Sequence, residues 1–143
     1  VFNMEWPQPV DDSPEAAGAA ATYDGYYNRF YLDGVFKGRY PDTVLAGMEQ
    51  HLPRGWQNDF PVIGSAVDWC GINYYTRKVI APNDGPWPSL DEVEGPLPKT
   101  FMDWEIYPEG LYLLLQRHHA ENHGPLPPIL LPRTTRLPIP HST

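Results

Sequence analysis

Asn73 and Tyr75 are the residues whose type and spacing most directly offer chemistry. They lie near the end of the run Asp68-Trp69-Cys70-Gly71-Ile72-Asn73-Tyr74-Tyr75-Thr76, and a two-residue spacing sends both side chains to the same face of a strand. A carboxamide and a phenol there make a hydrogen-bonding, aromatic tip. Tyr74, Tyr75 and Thr76 are equally ordinary strand formers, and pattern alone leaves the two readings level. The 5 tryptophans and 18 prolines point to aromatic surfaces on rigid loops. That combination suits a carbohydrate site, because sugar C–H faces stack on indole rings while hydroxyls seek polar partners, but it also occurs in domains without any activity. His119 and His123 share a helix face, yet no Cys or well-placed carboxylate completes a ligand set with them and His118, so no metal site is expected. The single cysteine, Cys70, sits inside the apolar run and reads as a small buried hydrophobe rather than a nucleophile.

The elements that must position these residues follow from punctuation and period. Val67 to Ile72 is a short apolar run bounded by Gly64 and Ser65, which predicts a strand buried on both faces in a parallel sheet, with Phe60-Pro61-Val62-Ile63 leading into it. Val1-Phe2 is a second strand-like pair that turns polar at Asn3. In Asp11-Asp12-Ser13-Pro14-Glu15, Ser13 reads as an N-cap and Pro14 as the first helical residue. The helix should run to about Leu32, with Ala16, Ala19, Ala20, Tyr23, Tyr26, Tyr27, Phe30 and Tyr31 at packing positions. Asp42 to His51 predicts a short helix capped by Asp42. Arg77 to Lys99 reads as a long Pro- and Gly-rich loop, and Pro108 opens a last helix with Leu111, Leu114, Leu115 and His118 inward.

A formal net charge of −8 over 143 residues, with the basic residues scattered, argues against nucleic acid or an anionic membrane as partner. The chain contains nothing near the ~18 consecutive apolar residues of a membrane-spanning helix. No charged-then-apolar leader is visible at Val1, which favours a cytoplasmic setting, although the chain reads as starting in mid-domain.

Three stretches resemble signatures of glycoside hydrolase family 1, the β-glucosidase and β-galactosidase family. Asp68 to Thr76 is similar to D-F-I-G-I-N-Y-Y-T. Arg29-Phe30-Tyr31-Leu32-Asp33-Gly34-Val35-Phe36-Lys37-Gly38-Arg39-Tyr40-Pro41 is similar to R-W-F-L-D-P-x-F-x-G-x-Y-P, with Phe30 for Trp and Gly34 for Pro. The Gly34 change implies a looser bend after the helix, and Arg29 with Asp33 an exposed i, i+4 pair worth a few tenths of a kcal/mol. Met102-Asp103-Trp104-Glu105-Ile106-Tyr107-Pro108-Glu109-Gly110-Leu111 is similar to M-G-W-E-I-Y-P-E-G-L, with Asp103 for Gly. The N-terminal Asn-x-x-Trp of Asn3 and Trp6 resembles the end of the family's fifth strand.

The resemblance implies an α/β fold, a partial (β/α)8 TIM barrel of about half a barrel, and a retaining β-glucosidase acting on terminal glucosyl residues of β-glucosides. A complete barrel needs about 250 residues. By the same resemblance Asn3 lies at the base of the sugar pocket, with Glu5 and Trp6 nearer its mouth. The resemblance further implies that Asn3, Asn73 and Tyr75 contact the sugar or the nucleophile, that Tyr75 donates to the nucleophile carboxylate, and that Trp104 lines the leaving-group side. For catalysis Glu5 reads as a solvated loop carboxylate, and no cofactor or metal is implied.

The match covers residues 1–127. In residues 128–143 it is lost: where the family continues P-L-P-I-x-I-T-E-N-G, this chain reads Pro128-Ile129-Leu130-Leu131-Pro132-Arg133-Thr134, whose prolines argue against a central strand. Leu-Leu-Pro-Arg-Thr can be written with codons that spell Ile-Thr-Glu-Asn two bases later, so the tail reads as a shifted frame. The family's acid/base N-E-P would precede Val1. Both catalytic glutamates are thus expected to be missing and the piece inactive alone. The alternative is a non-catalytic sugar-binding or scaffold half-barrel. Either piece would leave sheet edges open to self-association.

Overall fold

The computed structural model describes residues 1–121 and 129–130. Strand β1 (Phe2–Pro9) leads into helix α1 (Pro14–Asp24), and a five-residue π-helical turn, Gly25–Arg29, passes directly into α2 (Phe30–Lys37). Helices α3 (Asp42–Met48) and α4 (Phe60–Ile63) follow, then β2 (Cys70–Pro82), β3 (Leu90–Val93), α5 (Glu109–Glu121) and β4 (Ile129–Leu130). The described strands form a four-stranded sheet in which β2 pairs in parallel with β1 and β4 and antiparallel with β3. The fold is α/β with a largely parallel sheet.

Alternation along the strands decides what each face does. Met4 and, on β2, Cys70 and Ile72 are buried with Leu32 and Leu114, and Phe2, Trp6, Tyr74, Leu111 and Leu115 pack around them. This face is sealed by α2 and α5. A second cluster of Ala19, Ala20, Tyr23 and Ile80 seats α1 against the far end of β2. Asn3, Asn73 and Tyr75 fall on the opposite face, where no helix among the described residues covers them, and Tyr75 is 53% exposed.

The main strand departs from expectation at both ends. It begins at Cys70, leaving Val67 and Trp69 exposed, so that of the expected run Cys70 to Ile72 is the part buried on both faces. It also continues to Pro82 and folds back through β3, so the expected loop from Arg77 to Lys99 is in part a β-hairpin, with Val79 opposite Val93 and Pro82 opposite Leu90. Arg77-Lys78-Val79-Ile80 puts two polar residues before two apolar ones, so no period-2 alternation marks a strand there amid the surrounding Pro and Gly. In the tail, where the prolines argued against a central strand, Ile129 and Leu130 pair in parallel with Cys70 and Gly71 as a two-residue strand.

Ser13 caps α1 as its type predicts, its hydroxyl accepting the Ala16 N–H at 3.2 Å. The helical path runs past Leu32 to Lys37 and stops at Gly38, whose φ of 61° lets the chain leave in the left-handed conformation. Gly34 therefore lies inside α2, buried against Tyr40, and holds no bend. The Arg29–Asp33 pair forms at 3.1 Å, but Asp33 is buried and also meets Lys37 at 3.0 Å, so it belongs to a network rather than an exposed pair. Asp42 opens α3 as its first residue; the cap position is Pro41, which offers no side-chain bond.

Candidate active site

The Asn3 and Asn73 side chains meet because β1 and β2 run in parallel with these residues in register. Asn73 Nδ2 donates to Asn3 Oδ1 at 2.8 Å, leaving the Asn73 oxygen and the Asn3 amide nitrogen for a ligand. Two residues further along β2, on the same face, the Tyr75 ring lies against Trp104 with centroids 5.3 Å apart and planes tilted by 39°. The four side chains make a polar end and an aromatic end on one uncovered sheet face.

Trp104 belongs to no strand or helix, so the neighbours of Tyr75 must hold its loop. Tyr74, facing the helices, donates its phenol to Tyr107 O at 2.6 Å. Thr76 Oγ1 donates to Glu105 O at 3.0 Å, and Arg77 Nε to Glu105 Oε2 at 2.7 Å. The Arg77 guanidinium also lies 4.7 Å from the centre of the Tyr107 ring. Gly110 passes so close to the Tyr74 hydroxyl that a side chain there would displace it. Beside Trp104, a cleft of about 320 Å³ is lined by Thr76, Arg77, Lys78, Glu92, Lys99 and Glu105 among others.

Glu5 and Trp6 do not join this group. Trp6 turns to the helix side, packs on the core around Met4 and Leu114, and carries the Arg117 guanidinium 5.3 Å from its ring centre. Strand alternation places it there, opposite in sense to Asn3. Glu5 lies within β1 and is no solvated loop carboxylate: Tyr23 donates its hydroxyl to Glu5 Oε2 at 2.6 Å. Burial pushes the Glu5 carboxyl above the usual carboxylate range, against the opposing effects of the Tyr23 bond and of Lys78. The β1–β2 register slips by one residue between Met4 and Trp6, and Glu5 sits in the slip. Its backbone finds another partner: the Glu5 N–H donates to Asn28 Oδ1 at 3.2 Å, and Asn28 Nδ2 donates to Glu5 O at 2.8 Å and to Asp24 Oδ1 at 2.7 Å. Asp24 in turn receives Arg117 Nη2 at 2.7 Å. Asn28, within the π-helical turn and 2% exposed, thus anchors the strand that presents Asn3. Sequence reasoning passed over Asn28 because a single Asn in a helical stretch carries no signature of a strand contact.

Among the described residues, no group of three His, Cys, Asp or Glu is placed to hold a metal ion; His123 lies outside them. No helix among them is long and apolar enough to cross a membrane. Cys70 is buried, and burial pushes its thiol pKa up.

The sequence profile of glycosyl hydrolase family 1 matches residues 1–131. The chain belongs to that family. A 1,4-beta-D-glucan glucohydrolase of Thermotoga neapolitana is 34% identical over 117 residues, covering 81% of this chain and 28% of the relative. Beta-glucosidase A of Thermotoga maritima is 31% identical over 126 residues, covering 87% of this chain and 28% of its own length. Among solved structures, the family 1 β-glucosidase of T. maritima superposes with a TM-score of 0.80 at 31% identity over 87% of this chain and 28% of that one. The same enzyme complexed with a cyclophellitol analogue transition state mimic gives 0.82, and a β-glucosidase from Exiguobacterium marinum 0.77 over 89% of this chain. The chain thus spans under a third of the length of the relatives it matches, and its fold corresponds to part of a family 1 TIM barrel.

Proposed function

We propose that this family 1 chain is the part of a retaining β-glucosidase barrel running from the fifth strand to the sixth helix, and that it holds sugar-binding groups but does not hydrolyse glycosides by itself. The observation that carries the reading is the joint placement of Asn3, Asn73, Tyr75 and Trp104 on one open face of the parallel β1–β2 pair. In this reading the two asparagines bind the hydroxyls of a terminal glucosyl unit, and Tyr75 orients a nucleophile carboxylate supplied by the rest of the barrel. Trp104 stacks on the leaving group. Retaining hydrolysis needs one carboxylate to attack the anomeric carbon and a second, about 5 to 5.5 Å away, to protonate the leaving oxygen. The given sequence contains neither an N-E-P nor a T-E-N-G glutamate.

Release of nitrophenolate from 4-nitrophenyl β-glucoside tests this directly: no turnover above buffer is expected, and sustained turnover by the purified chain would contradict the proposal. The same missing glutamates favour one second reading, a non-catalytic sugar-binding half-barrel. The flanking DNA separates the two. An upstream N-E-P and a T-E-N-G in a neighbouring frame support the glucosidase, and their absence from every frame supports the sugar-binding protein. In either case the uncovered face, with Tyr75 and Trp104 exposed, supports self-association.

A further inference from the structure

We propose that Glu105 is a positioning residue for the leaving-group side of the site. Its buried carboxylate fixes where Trp104 stands against Tyr75. The inference rests on the reading of that aromatic pair as the place where a leaving group stacks.

Glu105 is 6% exposed, although it lies on a loop between two exposed neighbours, Trp104 and Ile106. A buried carboxylate is costly unless each oxygen is bonded. Both are. Oε2 takes Arg77 Nε from β2 at 2.7 Å, and Oε1 takes the Leu97 N–H from the incoming limb of the loop at 2.7 Å. The Glu105 backbone is held as well, its carbonyl accepting from Thr76. Gly95 approaches the carboxylate so closely that any side chain there would displace it. One side chain therefore ties three segments together: the strand, the descending limb at Gly95 and Leu97, and the ascending limb that carries Trp104.

The directions along β2 explain why the tie acts on Trp104. Tyr74 and Arg77 reach the loop from the strand, while Tyr75, between them, presents its ring to Trp104. The Glu105 Cα is one residue from that of Trp104. Moving the Glu105 backbone by an ångström moves the indole by a similar amount, which is enough to lose a stacking contact. The Asn3–Asn73 pair is held separately, by strand register and by Asn28. Glu105 should thus govern the preference among leaving groups without governing the hold on glucose.

The test compares the parent chain with Glu105→Gln and Glu105→Asp in two measurements. The first, without ligand, follows nuclear Overhauser contacts. Loss of the Tyr75–Trp104 contact in Glu105→Gln with retention of the Asn3–Asn73 contact is expected; retention of both would overturn the inference. The second titrates glucose and 4-nitrophenyl β-glucoside. The parent is expected to bind the aryl glucoside at least tenfold more tightly than glucose. Glu105→Gln should cut that ratio to near unity at unchanged glucose affinity, and Glu105→Asp, too short to reach both donors, should fall between. An unaltered ratio, or equal weakening of both sugars, would overturn it. If Glu105→Gln loses the circular dichroism of the fold, Glu105→Asp decides by the same two readouts. Should neither sugar shift Asn73 or Trp104 in the parent, the sugar-site reading fails, and the unliganded contact alone then judges the positioning role.

Discussion

Two carboxylates, Glu5 and Glu105, are pushed in opposite directions by their surroundings. Burial raises the Glu5 carboxyl in spite of the Tyr23 bond. For Glu105, burial works against the charge, but the Arg77 and Leu97 bonds outweigh it and hold the group below the usual range. The consequences for stability have opposite signs. A raised folded value for Glu5 contributes stability that is present below its unfolded pKa and lost as pH rises through the folded one. A depressed value for Glu105 contributes stability that is present above its unfolded pKa and lost as pH falls through the folded one. Glu5→Gln keeps an acceptor for Tyr23 and removes the cost of the charge. It is expected to be at least as stable as the parent in urea at pH 7, with its advantage shrinking at pH 4. A loss of more than about 1 kcal/mol at pH 7 would show that the charge itself is needed. Neither shift was legible in the sequence. Glu5 looked like a loop carboxylate because nothing in Asn3 to Trp6 announces a tyrosine hydroxyl arriving from α1, 18 residues on.

Elements were most legible where local chemistry dictates them. Ser13 with Pro14 announced the start of α1, and the short apolar run from Val67 to Ile72 announced a strand, which the structure starts at Cys70. The π-helical turn at Gly25–Arg29 was not legible, because it exists to bring Asn28 to the slipped register at Glu5, and that is a tertiary demand. Asn28→Ala leaves the Glu5 N–H and carbonyl without their side-chain partner, and a loss of about 2 to 4 kcal/mol in denaturant unfolding is expected. A change below about 0.5 kcal/mol would mean that water replaces the carboxamide. Asp103 shows the converse. The family motif has glycine there, and Asp103 takes a φ of 62°, the left-handed region that L residues enter at a cost of roughly 1 to 2 kcal/mol. Its ion pair with Lys99 is mostly exposed and offsets little of this. Asp103→Gly is therefore expected to raise thermal stability by a few degrees, and a fall would show that the Lys99 contact dominates the turn.

For the whole molecule, the face that presents Asn73 and Tyr75 is also the face a complete barrel would enclose. Cys70 and Ile72 are buried because α2 and α5 cover one side, while Tyr75, Trp104 and Ile106 stay exposed on or near the other. Strand type was visible in the sequence; which side would be covered depends on elements that a chain of this length does not supply. Association through that face has to overcome a net charge of −8 on each copy. An apparent mass above the 16.3 kDa monomer in light scattering, growing with added salt as repulsion is screened, is the expected outcome. A monomer at all salt concentrations would count against association. The central claim is that the chain keeps the sugar-holding half of a family 1 site without its catalytic carboxylates, and titration of the isotope-labelled chain with 4-nitrophenyl β-glucoside tests it most directly. The account predicts that the Asn3 and Asn73 amide signals and the Tyr75 and Trp104 ring signals shift together while no nitrophenolate forms. Shifts confined to other residues, or release of nitrophenolate in the tube, would contradict it.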